Sequence, residues 1–182
     1  NATAFVAAKL GNAKDSKSIK PKDGVLYGFG RIGRLVAREL MTRTATGNQL
    51  RLRAIVTRGA INETVLEKRA SLLRNDSVHG DFSGMVSVDV ENSALIINGT
   101  TVKVISANAP EDIDYTSYGI NKALIIDNTG AFRDKEALST HLKSKGAHKV
   151  LLTAPGKGVP NIVHGVNHLE HNPDKVNIFS AA

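Results

Sequence analysis

Hydrophobic positions along this chain change rhythm several times, and each change marks an element. Val25, Leu26 and Tyr27 form a short apolar run that predicts a strand. A helix is predicted from Arg34 onward, because Ile32, Leu35, Val36 and Leu40 recur at i, i+3, i+4 and i+8 on one face. Gly47 closes that region. Leu50 to Val56 first alternates and then runs apolar through Ala54-Ile55-Val56, which predicts a second strand parallel to the first. Strand, helix and strand of this length imply a βαβ unit with a right-handed crossover. A second helix is predicted over about residues 62–74, with Ile61, Val65, Leu66, Leu72 and Leu73 as its apolar set.

The period then drops to two. Met85, Val86, Val88 and Val90 alternate with Ser87 and Asp89, and Ala94 to Ile97 and Thr100 to Ile105 flank Asn98-Gly99. That dipeptide signals a hairpin, because both turn positions take positive φ. Ala123 to Ile126 resumes the parallel pattern, followed by a helix over about 135–145, capped by Asp134 and closed by Gly146, and by the strand Lys149 to Leu152. Val163, Val166 and Ile178-Phe179 supply further short extended segments. The expected fold class is α/β: a mostly parallel, doubly wound sheet with a short antiparallel excursion at about residues 85–105.

Residues 1–24 differ from the rest. Lys9, Lys14, Lys17, Lys20 and Lys22 are spread through polar sequence with Gly11 and Pro21 as breakers, which predicts a short helix at about 3–10 and then a linker. The expected organisation is a basic appendage over 1–24 and one domain over 25–182. A signal peptide does not fit, because the apolar run Ala2 to Ala8 is short and precedes the lysines. The first residue is Asn rather than Met, so the chain is expected to start inside a longer protein.

Composition narrows the chemistry. With 182 residues the chain can bury one sizeable core. It has no apolar run near the roughly 20 residues that cross a bilayer. It contains no cysteine, which excludes disulfides, a thiolate metal site and a thiol nucleophile within this chain. The net charge of +7 favours anionic partners. No block of five or six like charges occurs, so the preferred reading is scattered surface lysines.

The most informative stretch lies between the first strand and the first helix, where Gly28, Gly30 and Gly33 are spaced G-x-G-x-x-G. In a Rossmann-type dinucleotide site the first glycine permits the tight turn and the second admits a pyrophosphate against the backbone. The third lets helix and strand pack closely, while the helix N-terminus faces the negative charge. The plain alternative is a glycine-rich turn, and the flanking strand and helix weigh against it. Two later loops, 127–132 and 153–157, follow parallel strands at their C-terminal ends, where ligands sit in such sheets. Their Thr129, Gly130 and Thr153 could face phosphate or ribose, and Phe132 could offer a flat face to adenine. Each loop could equally be an ordinary turn.

These pieces resemble the N-terminal, cofactor-binding half of phosphorylating glyceraldehyde-3-phosphate dehydrogenases. The matching segments are GFGRIGR at 28–34, ASLLRNDSVHGDFSG at 70–84, DNTGAF at 127–132, HKVLLTAPGKGVPNIVHGVNH at 148–168 and IFSAA at 178–182, in the family's order. The resemblance implies that the Arg31 and Ile32 backbones lie against the pyrophosphate of NAD or NADP. It places Thr129 and Gly130 on the adenosine side, Phe132 near the adenine and Thr153 near the nicotinamide ribose. It implies a parent enzyme that oxidatively phosphorylates glyceraldehyde 3-phosphate to 1,3-bisphosphoglycerate in glycolysis, as a cytoplasmic homotetramer. In the family, IFSAA continues into Ser-Cys-Thr-Thr-Asn, whose cysteine is the nucleophile. That cysteine, the general-base histidine and most sugar-phosphate contacts match nothing here, so no catalytic residue is carried over, and the chain alone is expected to be inactive.

Three positions depart from the family. Tyr27 stands where the family usually has Asn, no arginine answers the family's near Ser106 to Pro110, and Thr57-Arg58 replaces the acidic residue that follows the second strand. A carboxylate there selects NAD by binding the adenosine ribose and repelling a 2′-phosphate. A hydroxyl and a cation can accept that phosphate, so Thr57 and Arg58 join the candidate cofactor residues and relaxed selectivity is expected. Other readings remain. The cofactor domain of an erythrose-4-phosphate dehydrogenase would look the same, because the substrate-choosing residues are not in this chain. A nucleic-acid module using the lysine arm with Arg51, Arg53 and Arg58 lacks interleaved aromatic residues. His164, His168 and His171 read as turn and packing residues, with no metal expected. Asp76 is expected to hold its Ser-Val-His-Gly turn through backbone hydrogen bonds.

Overall fold

The computed structural model describes residues 21–44, 50–172 and 174–181. The helix expected at about 3–10 and the Gly47 stop lie outside them. The central strand is β1, Lys22–Tyr27, which begins three residues earlier than the apolar run suggests. Asp23 accounts for the difference. It is buried and takes a hydrogen bond from Arg51 Nε at 2.5 Å and another from the Asn121 amide at 3.3 Å, so the polar end of the strand is paired inside the sheet. Helix α1, Arg31–Thr44, follows the glycine turn, then β2, Leu50–Thr57, and α2, Glu63–Arg74. The Asn62 side chain caps α2 by accepting from Val65 N at 2.9 Å.

Eight strands form one sheet. Besides β1 and β2 it contains β5 (Val86–Asp89), β6 (Ala94–Ile97), β7 (Thr100–Ser106), β8 (Ala123–Asp127), β9 (Ala147–Leu152) and β10 (Ile178–Ser180), in the order β10-β9-β8-β1-β2-β7-β6-β5. Pairing is parallel from β10 through β7 and antiparallel from β7 to β5. The expected antiparallel excursion is present, and it is fused to the sheet: β7 pairs parallel with β2 on one side and antiparallel with β6 on the other. Its turn carries Asn98 at φ 49° and Gly99 at φ 78°, as the hairpin signal requires. A two-stranded ribbon of β3 (Asn75–Asp76) and β4 (Gly80–Asp81), not foreseen, stands apart.

Apolar side chains divide between the faces. Leu26, Leu52 and Ile55 join Ala37, Met41, Leu66 and Leu73 under α1 and α2, while Val25, Tyr27, Ala54 and Val56 pack on the other side with Ile113, Tyr115 and Ile120. Leu52 and Ile55 share a face because the register skips Arg53, an extra residue between the Gly24–Leu52 and Val25–Ala54 pairs. On α1 the buried line is Gly33, Ala37 and Met41, with Val36 and Leu40 beside it. Ile32, counted in the apolar stripe, is 49% exposed on the first turn of α1. Leu72 of α2 is likewise exposed, and Ala70 takes the core position.

Two segments depart from the pattern. The helix after Asp134 is α3, Lys135–Ser139, and tightens into a 3-10 turn over Thr140–Lys143. Its capping by Asp134 stands, with Ala137 N donating to the carboxylate at 2.8 Å. The shortening brings His141 into the core and lets Ser144 Oγ donate to Pro110 O at 2.7 Å. Val163 and Val166 lie in turns rather than extended segments. Val163 N donates to the Asn167 side chain at 2.7 Å, and His164 stacks on His168 at 4.6 Å between centroids. Among the described residues no helix is long and apolar enough to cross a membrane.

Candidate functional site

The chain runs from β1 outward to β2, and later returns to place β8 on β1's other side. The C-terminal ends of β1, β2 and β8 therefore splay around a topological switch point, where open α/β sheets bind ligands. A cleft of about 230 Å³ lies there, lined by Tyr27, Gly28, Val56, Thr57, Arg58, Ala107, Thr129 and Ala131.

The three motif glycines have three separable reasons to be glycine. Gly28 has φ 94°, and a Cβ there would approach Thr129 Cγ2 to 2.7 Å. At Gly33 a Cβ would collide with the Gly28 carbonyl oxygen, so the residue lets α1 pack against the turn. At Gly30 a Cβ would meet nothing within 4 Å and the backbone is not in the left-handed region. Nothing in the described chain explains the missing side chain at Gly30, and the open space is where a pyrophosphate would approach. The first bond of α1 is Arg34 N to Gly30 O at 3.0 Å, which leaves the amides before it as donors at the positive end of a 14-residue helix. The residues present fit a dinucleotide phosphate.

The second wall is the loop after β8. Asp127 accepts from Thr129 N at 2.8 Å and Thr129 Oγ1 at 2.7 Å, and Thr129 Oγ1 accepts from Ala131 N at 3.1 Å. The other Asp127 oxygen lies 2.8 Å from His141 Nε2, with both side chains fully buried. His141 Nδ1 has no hydrogen-bond partner, so the ring is held to the wall through Nε2. The Tyr27 ring packs edge-on to His141 with centroids 4.6 Å apart. Burial, reinforced by the Asp127 charge, raises the Tyr27 phenol above its usual pKa, and the nearby Arg58 opposes this.

Of the expected cofactor residues, Gly28, Thr57, Arg58 and Thr129 line the cleft, and Gly30, Arg31, Ile32 and Gly33 form the adjoining helix start. Gly130 follows in the second wall, at φ 70°. Two of the expected residues, Phe132 and Thr153, are not among those lining this cleft. Phe132 does not line the cleft: its half-buried ring packs against His141 and Tyr27 at 5.1 and 6.0 Å, and Ala131 takes the place at the wall. Thr153 also stands off the cleft, donating to Asp127 O at 3.0 Å. Sequence reasoning missed Asp127 and His141. The only signal for His141 was its spacing of three from Leu138 on the buried face of a helix.

A third group stabilises the turn from outside. Asp76 accepts from the Val78 and His79 amides, both at 3.0 Å, as expected of an aspartate in that turn. It also lies 3.7 Å from Arg31 and 3.8 Å from Arg34, so the β3–β4 ribbon is tied to the first turn of α1. The His79 and Val78 hydrogen bonds, with the charge of Arg31 beside them, hold the Asp76 carboxyl well below the usual carboxylate range.

Sequence comparison agrees with this geometry. The family profile described as glyceraldehyde 3-phosphate dehydrogenase, NAD binding domain, matches residues 24–135. A glyceraldehyde-3-phosphate dehydrogenase-like protein of Pseudomonas aeruginosa is 54% identical over 98% of the chain and 39% of its own length. Glyceraldehyde-3-phosphate dehydrogenase 1 of Agaricus bisporus is 39% identical over 86% of the chain and 43% of its length. The chloroplastic dehydrogenase A of Zea mays is 41% identical over 86% of the chain and 37% of its length. The chain thus spans about two-fifths of the length of these curated relatives.

Proposed function

The chain belongs to the glyceraldehyde 3-phosphate dehydrogenase family and carries its NAD-binding domain, and from that premise we propose that it is the cofactor half of a phosphorylating aldehyde dehydrogenase acting in glycolysis. The aldehyde oxidised and phosphorylated is glyceraldehyde 3-phosphate. The sugar phosphate meets the enzyme only when the remainder of the family's length completes the site. A cytoplasmic homotetramer is part of the same proposal and rests on family membership alone.

One observation supports the cofactor role most directly: Gly30 is open on the side where a Cβ would stand, and the α1 amides face the same cradle. In this reading Gly30, Arg31, Ile32 and Gly33 receive the pyrophosphate through backbone donors. Gly28, Thr57, Arg58, Thr129 and Gly130 surround the adenosine. Phe132 acts behind the wall, and Thr153 orients the second loop by its bond to Asp127 O. Bound there, the nicotinamide supplies the hydride acceptor; these residues bind and orient it.

Calorimetry with NAD on wild type and Gly30→Val tests the proposal. A branched Cβ should enter the cradle and weaken binding at least tenfold, with the melting temperature unchanged. Equal binding by the two proteins would exclude this site.

A further inference from the structure

We infer that the cleft at the end of β2 takes a 2′-phosphorylated adenosine, so that NADP is a ligand of this chain alongside NAD. The inference rests on the dinucleotide reading and concerns which dinucleotide that site admits.

Arg58 is the single charged residue among those lining the cleft, and no carboxylate lines it. The guanidinium is exposed, and among the described residues no hydrogen bond or ion pair holds it. Its position is nevertheless fixed from both sides. Thr57 O accepts from Ala107 N at 3.1 Å, and Gly59 O accepts from Ser106 Oγ at 2.7 Å, which pins the backbone around Arg58 to the end of β7. An arginine held at a cleft rim with its charge uncommitted suits a phosphate monoester, which it can bind through two parallel charge-assisted hydrogen bonds.

Two further groups share the cleft. Tyr27 and Thr57 are 3% and 6% exposed, and Tyr27 Oη and Thr57 Oγ1 have no hydrogen-bond partner. Buried hydroxyls are ordinarily paired, and oxygens of a ligand in this cleft would supply the missing partners. Unlike a carboxylate, a hydroxyl can donate to phosphate as well as accept from a ribose hydroxyl. The end of β2 is where a dinucleotide presents its adenosine 2′ position, and a carboxylate there would repel a 2′-phosphate. The nearby carboxylates, Glu111 and Asp112, lie on the turn after β7 and are not part of the lining. Asp112 is engaged with the Ala109 amide at 3.3 Å.

Binding of NAD and NADP to the 182-residue chain, by calorimetry at fixed salt, tests the inference, with Arg58→Gln, Arg58→Asp and Tyr27→Phe alongside. NADP should bind no more than about tenfold more weakly than NAD. Arg58→Gln should weaken NADP at least tenfold more than it weakens NAD, Arg58→Asp should widen that difference further, and Tyr27→Phe should weaken NADP severalfold. If NAD binds and NADP does not, or if Arg58→Gln weakens both alike, the assignment to Arg58 is overturned. If neither dinucleotide binds, the cofactor reading itself has failed and this inference fails with it. Melting temperatures for each variant separate loss of binding from loss of fold.

Discussion

Asp127 and His141, 14 residues apart, meet at 2.8 Å with neither side chain exposed, directly behind the wall of the cleft at the ends of β1, β2 and β8. Asp127 faces two ways, holding the Thr129 amide and hydroxyl with one oxygen and the imidazole with the other. The wall is therefore as stable as the pair behind it. Removing one member leaves a buried polar group without its partner, which typically costs about 3–5 kcal/mol when the group is charged. His141→Ala should lower the unfolding free energy by roughly 3 kcal/mol, read from urea denaturation. His141→Gln, which keeps a donor, should recover a good part of it. If His141→Ala costs under about 1 kcal/mol, the pair does not hold this wall.

Replacing the motif glycines by alanine should separate folding from binding. Gly33→Ala drives a Cβ into the Gly28 carbonyl and should destabilise the chain by about 1–3 kcal/mol, the scale of overpacking. Gly30→Ala has open space and should leave stability within about 0.5 kcal/mol. Equal destabilisation by both would mean that Gly30 too is needed for packing.

Asp76 predicts an acid-sensitive ribbon. Its folded carboxyl titrates below the ordinary 3.8, so its contribution is fully present above that value and is lost as the pH falls below it toward the folded value. Asp76→Asn should be less stable than wild type at pH 7, and the difference should shrink as the pH drops below about 4. Denaturation at pH 7, 5 and 3 measures it. A difference that stays constant across this range would show that the charge of Asp76 is not what ties the ribbon to α1.

The purified 182-residue chain should show no phosphate-dependent reduction of NAD with glyceraldehyde 3-phosphate. An acyl-enzyme route needs a thiolate to attack the aldehyde and carry the acyl group, and this chain has no cysteine. Turnover above a blank would point to a different nucleophile or a different reaction.

Much of this was legible in the sequence because its signals are local. The G-x-G-x-x-G spacing, the Asn98-Gly99 turn and the Asp134 cap each depend on residues a few positions apart, and each appears in the structure. What escaped depends on residues distant in sequence. Asp23 looked like linker until Arg51 and Asn121 came to it. The contacts of the Phe132 ring with Tyr27 and His141 join three separate stretches of chain, and nothing local signals them. The Asp127–His141 pair joins a strand end to a tightened helical turn, and no periodicity announces such a meeting.

The place of β1 in the middle of the sheet governs the order in which the site can come into being. Its pairing with β2 joins residues such as Val25 and Ala54, close in the chain, whereas its pairing with β8 joins Val25 to Ile125, 125 − 25 = 100 positions apart. Long-range parallel pairing is slow, because a large loop must close before its contacts repay the lost entropy. During synthesis the βαβ unit with its glycine turn is complete long before residues 123–127 leave the ribosome. In that interval the proposed phosphate cradle exists with only one wall, and Thr129 has yet to reach Gly28. A nascent chain should therefore acquire dinucleotide affinity late and abruptly, when β8 docks, and a ligand present at that moment would favour the docked state and hasten completion of the sheet.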